Sequence, residues 1–318
     1  IFTFTTGHAS TLAGLLFLRF VFGLCEGPYA GSCYRAIAEY FPRELRAAYT
    51  TGILSSNYIG SALAPIVIVP LILWFGWRGM FQVLGVVGLV YVFFYALFVK
   101  QSKPKEETSG DKVSKTKYFL RLMKYSMIWK LVLCAFCVSC INKGLDAWMP
   151  TYLIAERGIN LKAVGYLTPI PFMASFLSAA VCGWFMNKYF DKKEHYMVAI
   201  CAAMTAIFLY FMYNAETIMW VVIFQCGVYF FKACILGAAV AIVLKIVTGK
   251  IAGSASTLIN MGGQVAGFIS PVIMGYLVHA FNGSFNAVFY FLMGMATLCA
   301  ISALLIPKRT EDVLDLDE

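Results

Sequence analysis

Residues 15–46 read LLFLRFVFGLCEGPYAGSCYRAIAEYFPRELR. Most of this run is apolar enough to cross a membrane as one helix, and it ends in a short basic loop. Inside the apolar part stand Arg19 and Glu26. A charge in hydrocarbon costs about 3 kcal/mol or more on insertion scales, so ionisable residues at that depth mark function by default. Seven residues make two helical turns less about 20°, which sets both side chains on one face. Something polar must lie beside that face.

The rest of the chain follows the same pattern. Of its 318 residues 61% are hydrophobic and 13% charged, against about 25% charged in soluble domains. The fold class predicted is all-α, a polytopic membrane protein. Helices satisfy their own backbone in lipid, and the polar–apolar alternation of barrel strands is missing here. The net charge of +9 does not point to nucleic acid. Eighteen of the 25 Lys and Arg residues fall on one side of the predicted spans, three on the other, and Arg19, Arg35, Lys143 and Lys232 lie within them. The positive-inside bias therefore places the central linker and the C-terminus in the cytoplasm of a cell whose inner membrane holds the protein. The ten cysteines form no metal-ligand or disulfide framework. Cys134, Cys137 and Cys140 read as small packing residues in an apolar run, and no metal or cofactor is expected.

A hydrocarbon core about 30 Å thick needs about 20 residues per span. Nine complete spans are predicted, over residues 11–40, 47–75, 80–99, 129–153, 163–186, 196–213, 218–244, 251–280 and 285–306. Residues 1–6 are the end of a tenth. The chain opens in mid-hydrophobic sequence at Ile1, so the expectation is a chain truncated at its N-terminus. Four regions follow: residues 1–99, the later part of a first six-helix bundle; 100–128, a cytoplasmic linker; 129–306, a second bundle; and 307–318, an acidic cytoplasmic tail. At an offset of 206, TTGILSSNYIGSALAPIVIVPL superposes on STLINMGGQVAGFISPVIMGYL, aligning Pro65 with Pro271. Parallel repeats of this kind build two-bundle transporters.

Several motifs carry a family resemblance. The runs FGLCEGPYAG, EYFPRELRAA, IGSALAPIV and FGWRGMFQVLGVVGLV resemble the fourth to sixth spans of the anion:cation symporters of the major facilitator superfamily. WMPTYLIAERGINL and the Gly-rich run 262–271 resemble the same family's seventh and eleventh spans. The similarity covers nearly the whole chain and implies spans three to twelve of a twelve-span fold. The chain departs from the pattern at Leu45, which separates Glu44 from Arg46, at the extra charge Arg35, and at Asn187, which stands where an Asp is common. The family carries sugar acids, hexuronates and other carboxylates, commonly with protons.

By this resemblance spans four, seven and ten line the central cavity, and the deep charges fall on those spans. Glu26 and Arg19 are the proton-coupling candidates: an acid whose distance from a cation changes with conformation loads and releases a proton. A permanent structural ion pair is the competing reading. The substrate-binding candidates are Lys143, Asp146, Lys232, Gln225, Asn260, Gln264, Asn57 and Tyr58. Lys143 and Asp146 are three apart and either pair with each other or meet substrate. Lys232 is either an anion ligand or the partner of an acid not present in this sequence. Asn260 and Gln264, like Asn57 and Tyr58, either bind a hydroxylated substrate or join helices. Arg19, Lys143 and Lys232 outnumber Glu26 and Asp146 by one, which favours an anionic substrate.

The predicted function is secondary active transport, proton-coupled symport of a small organic anion by a monomer in the lipid bilayer. The alternatives are an organophosphate/phosphate antiporter and, from another class, a transporter-like membrane receptor. No phosphate-binding P-loop, H-E-x-x-H or G-x-S-x-G motif is present, so no enzyme is expected.

Overall fold

The computed structural model describes residues 1–27, 29, 32–33, 43–98, 123, 125–190, 193–246 and 249–306. Arg35, nearly all of the predicted linker and the acidic tail lie outside the described residues. Among those described the protein is helical throughout: α1 Phe2–Thr6, α2 Leu12–Glu26, α3 Arg43–Phe98, α4 Ser126–Ala155, α5 Leu161–Leu167, α6 Pro169–Tyr189, α7 Glu194–Asn214, α8 Ile218–Ile246, α9 Gly249–Ala280 and α10 Asn286–Leu304. Among the described residues six stretches are long and apolar enough to cross a membrane. One of them, Ser56–Phe98, runs 43 residues. At 1.5 Å per residue it would extend about 64 Å, twice a hydrocarbon core. It therefore holds two crossings, and the chain breaks between them at Gly76 (φ 68°, ψ 172°). Only glycine reaches such angles without strain. The break falls between the spans predicted over 47–75 and 80–99.

The chain forms two compact units, Ile1–Glu106 and Glu107–Glu318. In the first, Thr11 caps α2, its Oγ1 accepting from the Gly14 amide at 3.1 Å. The short α1 lies on α3 because Gly85 has no side chain: a Cβ there would sit 2.5 Å from Phe4 Cβ. Arg78 Nη2 donates to the Ala9 carbonyl at 3.3 Å, holding the turn that leads into α2.

In the second unit α4 is the central helix, packed on α8, α9 and α10. Its contact with α9 explains the glycine-rich run. Val132, Ser139, Lys143 and Trp148 of α4 lie against Gly262, Gly263, Gly267 and Gly275 of α9, and Ser270 donates to the Cys140 carbonyl at 2.8 Å. Small residues let two backbones approach in lipid, where no hydrophobic force drives association. Trp148 donates its Nε1–H to the Pro271 carbonyl at 3.1 Å.

Serines join α6 to α8: Ser175 donates to the Tyr229 carbonyl at 2.9 Å and Ser178 to that of Phe230 at 2.6 Å. The predicted span over 163–186 is two helices, because Thr168 ends α5 and Pro169 begins α6. Proline has no N–H to continue the ladder, and a helix start is where that loss costs least. Two apolar clusters fill the unit, one around Ile128, Leu131, Ile235 and Leu258, the other around Ile141, Leu153, Leu209 and Leu292.

Candidate functional site

The strongest polar constellation lies inside the second unit, between α4 and α8. Gln225, Tyr229 and Lys232 fall on one face of α8, at spacings of four and three. Across from them stands Asp146 of α4. The Tyr229 hydroxyl donates to Asp146 Oδ1 at 2.8 Å. The Lys232 ammonium donates to the same oxygen at 3.4 Å and lies 3.2 Å from the centroid of the Tyr229 ring. Phe172 of α6 meets the Tyr229 ring edge-on, with centroids 5.2 Å apart. The tyrosine is thus held by three helices. Burial within the group is graded: Lys232 is 4% exposed and Asp146 28%.

This arrangement removes one of the two readings left open for each lysine. Asp146 pairs with Lys232, not with Lys143. The partner of Lys232 is likewise found in this chain, 86 residues away. The reason is helical phase: three residues turn a helix by about 300°. When Asp146 faces α8, Lys143 points about 60° away, and its stem lies on Gly267 of α9. Lys143 is exposed and makes no hydrogen bond or ion pair among the described residues. Asn260 and Gln264 are exposed on α9. Gln264 is one turn from Gly267, the residue against which the Lys143 stem lies.

Tyr229 was missed by the sequence reading. Its signal was available in Gln225, Tyr229 and Lys232, spaced as Q-x-x-x-Y-x-x-K on an otherwise apolar helix.

In the first unit Arg19 and Glu26 both lie on α2 and are exposed. The Arg19 guanidinium sits 4.7 Å from the centroid of the Phe81 ring of α3. Seven residues raise a helix by about 10.5 Å, and no ion pair joins Arg19 to Glu26 among the described residues. A static pair between them is therefore not what the structure holds. Glu26 closes α2, and the backbone amide of Gly27 caps the helix by bonding the Gly23 carbonyl at 3.0 Å. Asn57 is exposed and Tyr58 half-buried on α3.

Long apolar helices with acids and bases set inside their bundle define a polytopic membrane transporter, since lipid tolerates such groups only where they work. The comparisons with known proteins agree. The chain belongs to the Major Facilitator Superfamily, whose family model matches residues 1–231. It is 28% identical to a probable sulfoacetate transporter of Cupriavidus necator, covering 98% of this chain and 77% of that one. It is 26% identical to a probable galactarate/D-glucarate transporter of Bacillus subtilis, covering 94% and 71%. A hexuronate transporter of the same organism is 24% identical over 96% and 75%. Among solved structures, a bacterial homologue of the human lysosomal transporter Spinster, inward-facing and occupied, aligns with a TM-score of 0.71 at 15% identity, covering 95% of this chain and 78% of that one. The Escherichia coli fucose:proton symporter aligns at 0.66 and 12% identity, covering 97% and 80%. The chain is a membrane transporter and not an enzyme.

Proposed function

We propose that this transporter carries a small organic anion, a sugar acid, hexuronate or related carboxylate, in symport with protons by alternating access. The observation that carries the reading is the charge left over around α4. Asp146 neutralises Lys232, which leaves Lys143 an exposed cation with no counter-ion among the described residues. A carboxylate substrate supplies that counter-charge. Gln264, one turn from the residue beneath Lys143, offers an amide to substrate hydroxyls. The relatives support the same chemistry, since sulfoacetate, galactarate, glucarate and hexuronates are all anions.

Proton coupling is assigned to Glu26, with Arg19 as the cation on the same helix. Glu26 has no ion-pair partner among the described residues, and an acid in a membrane span can gain and lose a proton as its surroundings change. The protein acts as a monomer in the inner membrane, with its central linker and C-terminus cytoplasmic.

Uptake into proteoliposomes tests the reading, with radiolabelled D-glucuronate, galactarate and sulfoacetate each measured with and without an inward proton gradient. At least one of the three should accumulate only when the gradient is present. Glu26→Gln should abolish that accumulation while sparing exchange. Gradient-independent uptake, or uptake of none of the three, would overturn the proposal.

A further inference from the structure

The Asp146–Tyr229–Lys232 group has a feature that a simple structural ion pair does not need. Its cation is sealed in the bundle while its acid is open: Lys232 is 4% exposed and Asp146 28%. Both hydrogen bonds to Asp146 end on Oδ1, and among the described residues nothing bonds Oδ2. One carboxylate oxygen is therefore held while the other is available. The Lys232–Asp146 contact, at 3.4 Å, is also longer than the ~2.7–2.9 Å of a tight charge-assisted hydrogen bond.

The ionisable groups around Asp146 are few. Lys232 and Tyr229 reach it from α8. Cys226 of α8 acts on Tyr229, and Lys143, one turn away on α4, acts on Lys232 as a like charge. The other helices packed on α4, namely α5, α9 and α10, bring no ionisable side chain into a bond with Asp146 among the described residues.

We propose that Asp146, Tyr229 and Lys232 form a proton-operated anion switch, in which protonation of Asp146 frees the Lys232 ammonium to take the carboxylate of the transported anion. The proposal rests on the anion-symport reading and adds a second proton site to it. A proton from water adds to Oδ2, and no other bond is made or broken covalently. Tyr229 keeps its hydrogen bond to Oδ1, which orients the neutral acid. Lys232 keeps its charge and loses its counter-ion. The Tyr229 ring still faces the ammonium but carries no net charge to balance it, and a buried cation without a partner is strongly unfavourable. The anion restores balance.

Two effects of the same proton act in one direction: the lysine loses its partner, and the carboxylate that repelled an incoming anion becomes neutral. Linkage then requires the reverse, that bound anion favours the proton on Asp146. Lys143, exposed and one turn away, offers the same anion a first cationic contact.

The test separates this switch from Glu26 by working in a Glu26→Gln background. Binding of radiolabelled D-glucuronate, galactarate and sulfoacetate to the purified full chain is measured at acidic and at neutral pH. Binding in Glu26→Gln should remain about tenfold tighter at acidic pH, within the usual range of coupling between two sites. Adding Asp146→Asn should reduce that ratio to within about twofold by making acidic-type binding permanent. The charge-neutral pair Asp146→Asn/Lys232→Gln should keep its fold, as size-exclusion chromatography reports, and bind about tenfold more weakly at both pH values. If Glu26→Gln alone removes the pH dependence, or the neutral pair binds as well as its parent, Asp146 and Lys232 are a structural pair and the switch is wrong.

Infrared difference spectra on acidification give a substrate-free readout. Among the protonated-carboxyl bands that appear in Glu26→Gln, one should be lost once Asp146→Asn is added. If Asp146→Asn removes none of these bands, the proposal is overturned even if no tested anion binds, and the absence of binding by the wild type refutes the symport reading instead.

Discussion

Breaking the α4–α8 ion pair from one side should cost more than removing it from both. Asp146→Leu leaves Lys232, 4% exposed, as a charge in the bundle with no counter-ion. Removing one partner of a buried pair costs about 3–5 kcal/mol. The 3.4 Å separation and the 28% exposure of Asp146 set the expected value near the lower bound, about 3 kcal/mol. The Tyr229 hydroxyl also loses its acceptor at 2.8 Å, which adds about 1 kcal/mol. The single variant should lose about 4 kcal/mol in all.

The double variant Asp146→Leu/Lys232→Met strands no charge and leaves only the tyrosine hydroxyl unsatisfied, a loss of about 1–2 kcal/mol. At about 2–4 °C per kcal/mol for a body of this size, the single variant should unfold roughly 8–16 °C lower and the double less than half as far. Thermal unfolding of the full chain in detergent, followed by tryptophan fluorescence, measures both. A double variant whose loss equals the sum of the two single losses would refute the reasoning, because independent sites add and a shared charge pair does not.

Three further outcomes are expected. Lys143→Gln should raise the KM for the transported anion about tenfold and hold kcat within about twofold, with Lys143→Arg restoring most of the loss in uptake assays. Gly227→Ala places a Cβ 2.5 Å from Phe208 Cε1 and should destabilise by about 1–3 kcal/mol; Gly294→Ala meets nothing within 4 Å and should be neutral or stabilising by about 0.5–1 kcal/mol in the same thermal scan. Asn160→Ala removes the cap of α5, in which Oδ1 accepts from the Ala163 amide at 2.8 Å, and should lower stability by about 0.5–2 kcal/mol.

Much of the helix plan was legible because lipid imposes a one-dimensional rule. A span must be apolar and about 20 residues long, and both properties can be read along the chain without knowing its neighbours. The break between the spans over 47–75 and 80–99 was legible for a related reason: Gly76 allows a left-handed φ. The span of residues 163–186 was read as one helix because its apolar character runs unbroken across Thr168, where the backbone ladder is interrupted.

The candidate site was legible as an inventory and not as an arrangement. Sequence alone determined which deep residues carry charge, Arg19, Glu26, Lys143, Asp146 and Lys232, because the cost of burying an ion makes each one conspicuous in an apolar run. It also brought out the glycines of α9, whose small size suits close helix packing. The tertiary structure decided who pairs with whom. Asp146 has a lysine three residues away on its own helix and another 86 residues away on α8, and it bonds the distant one. Spacing along a helix restricts direction only to within a face, about 60° between Asp146 and Lys143, and the packing of α4 between α8 and α9 resolves that angle. The same packing brings Tyr229 to the shared carboxylate oxygen and leaves Lys143 exposed, with no ion pair among the described residues.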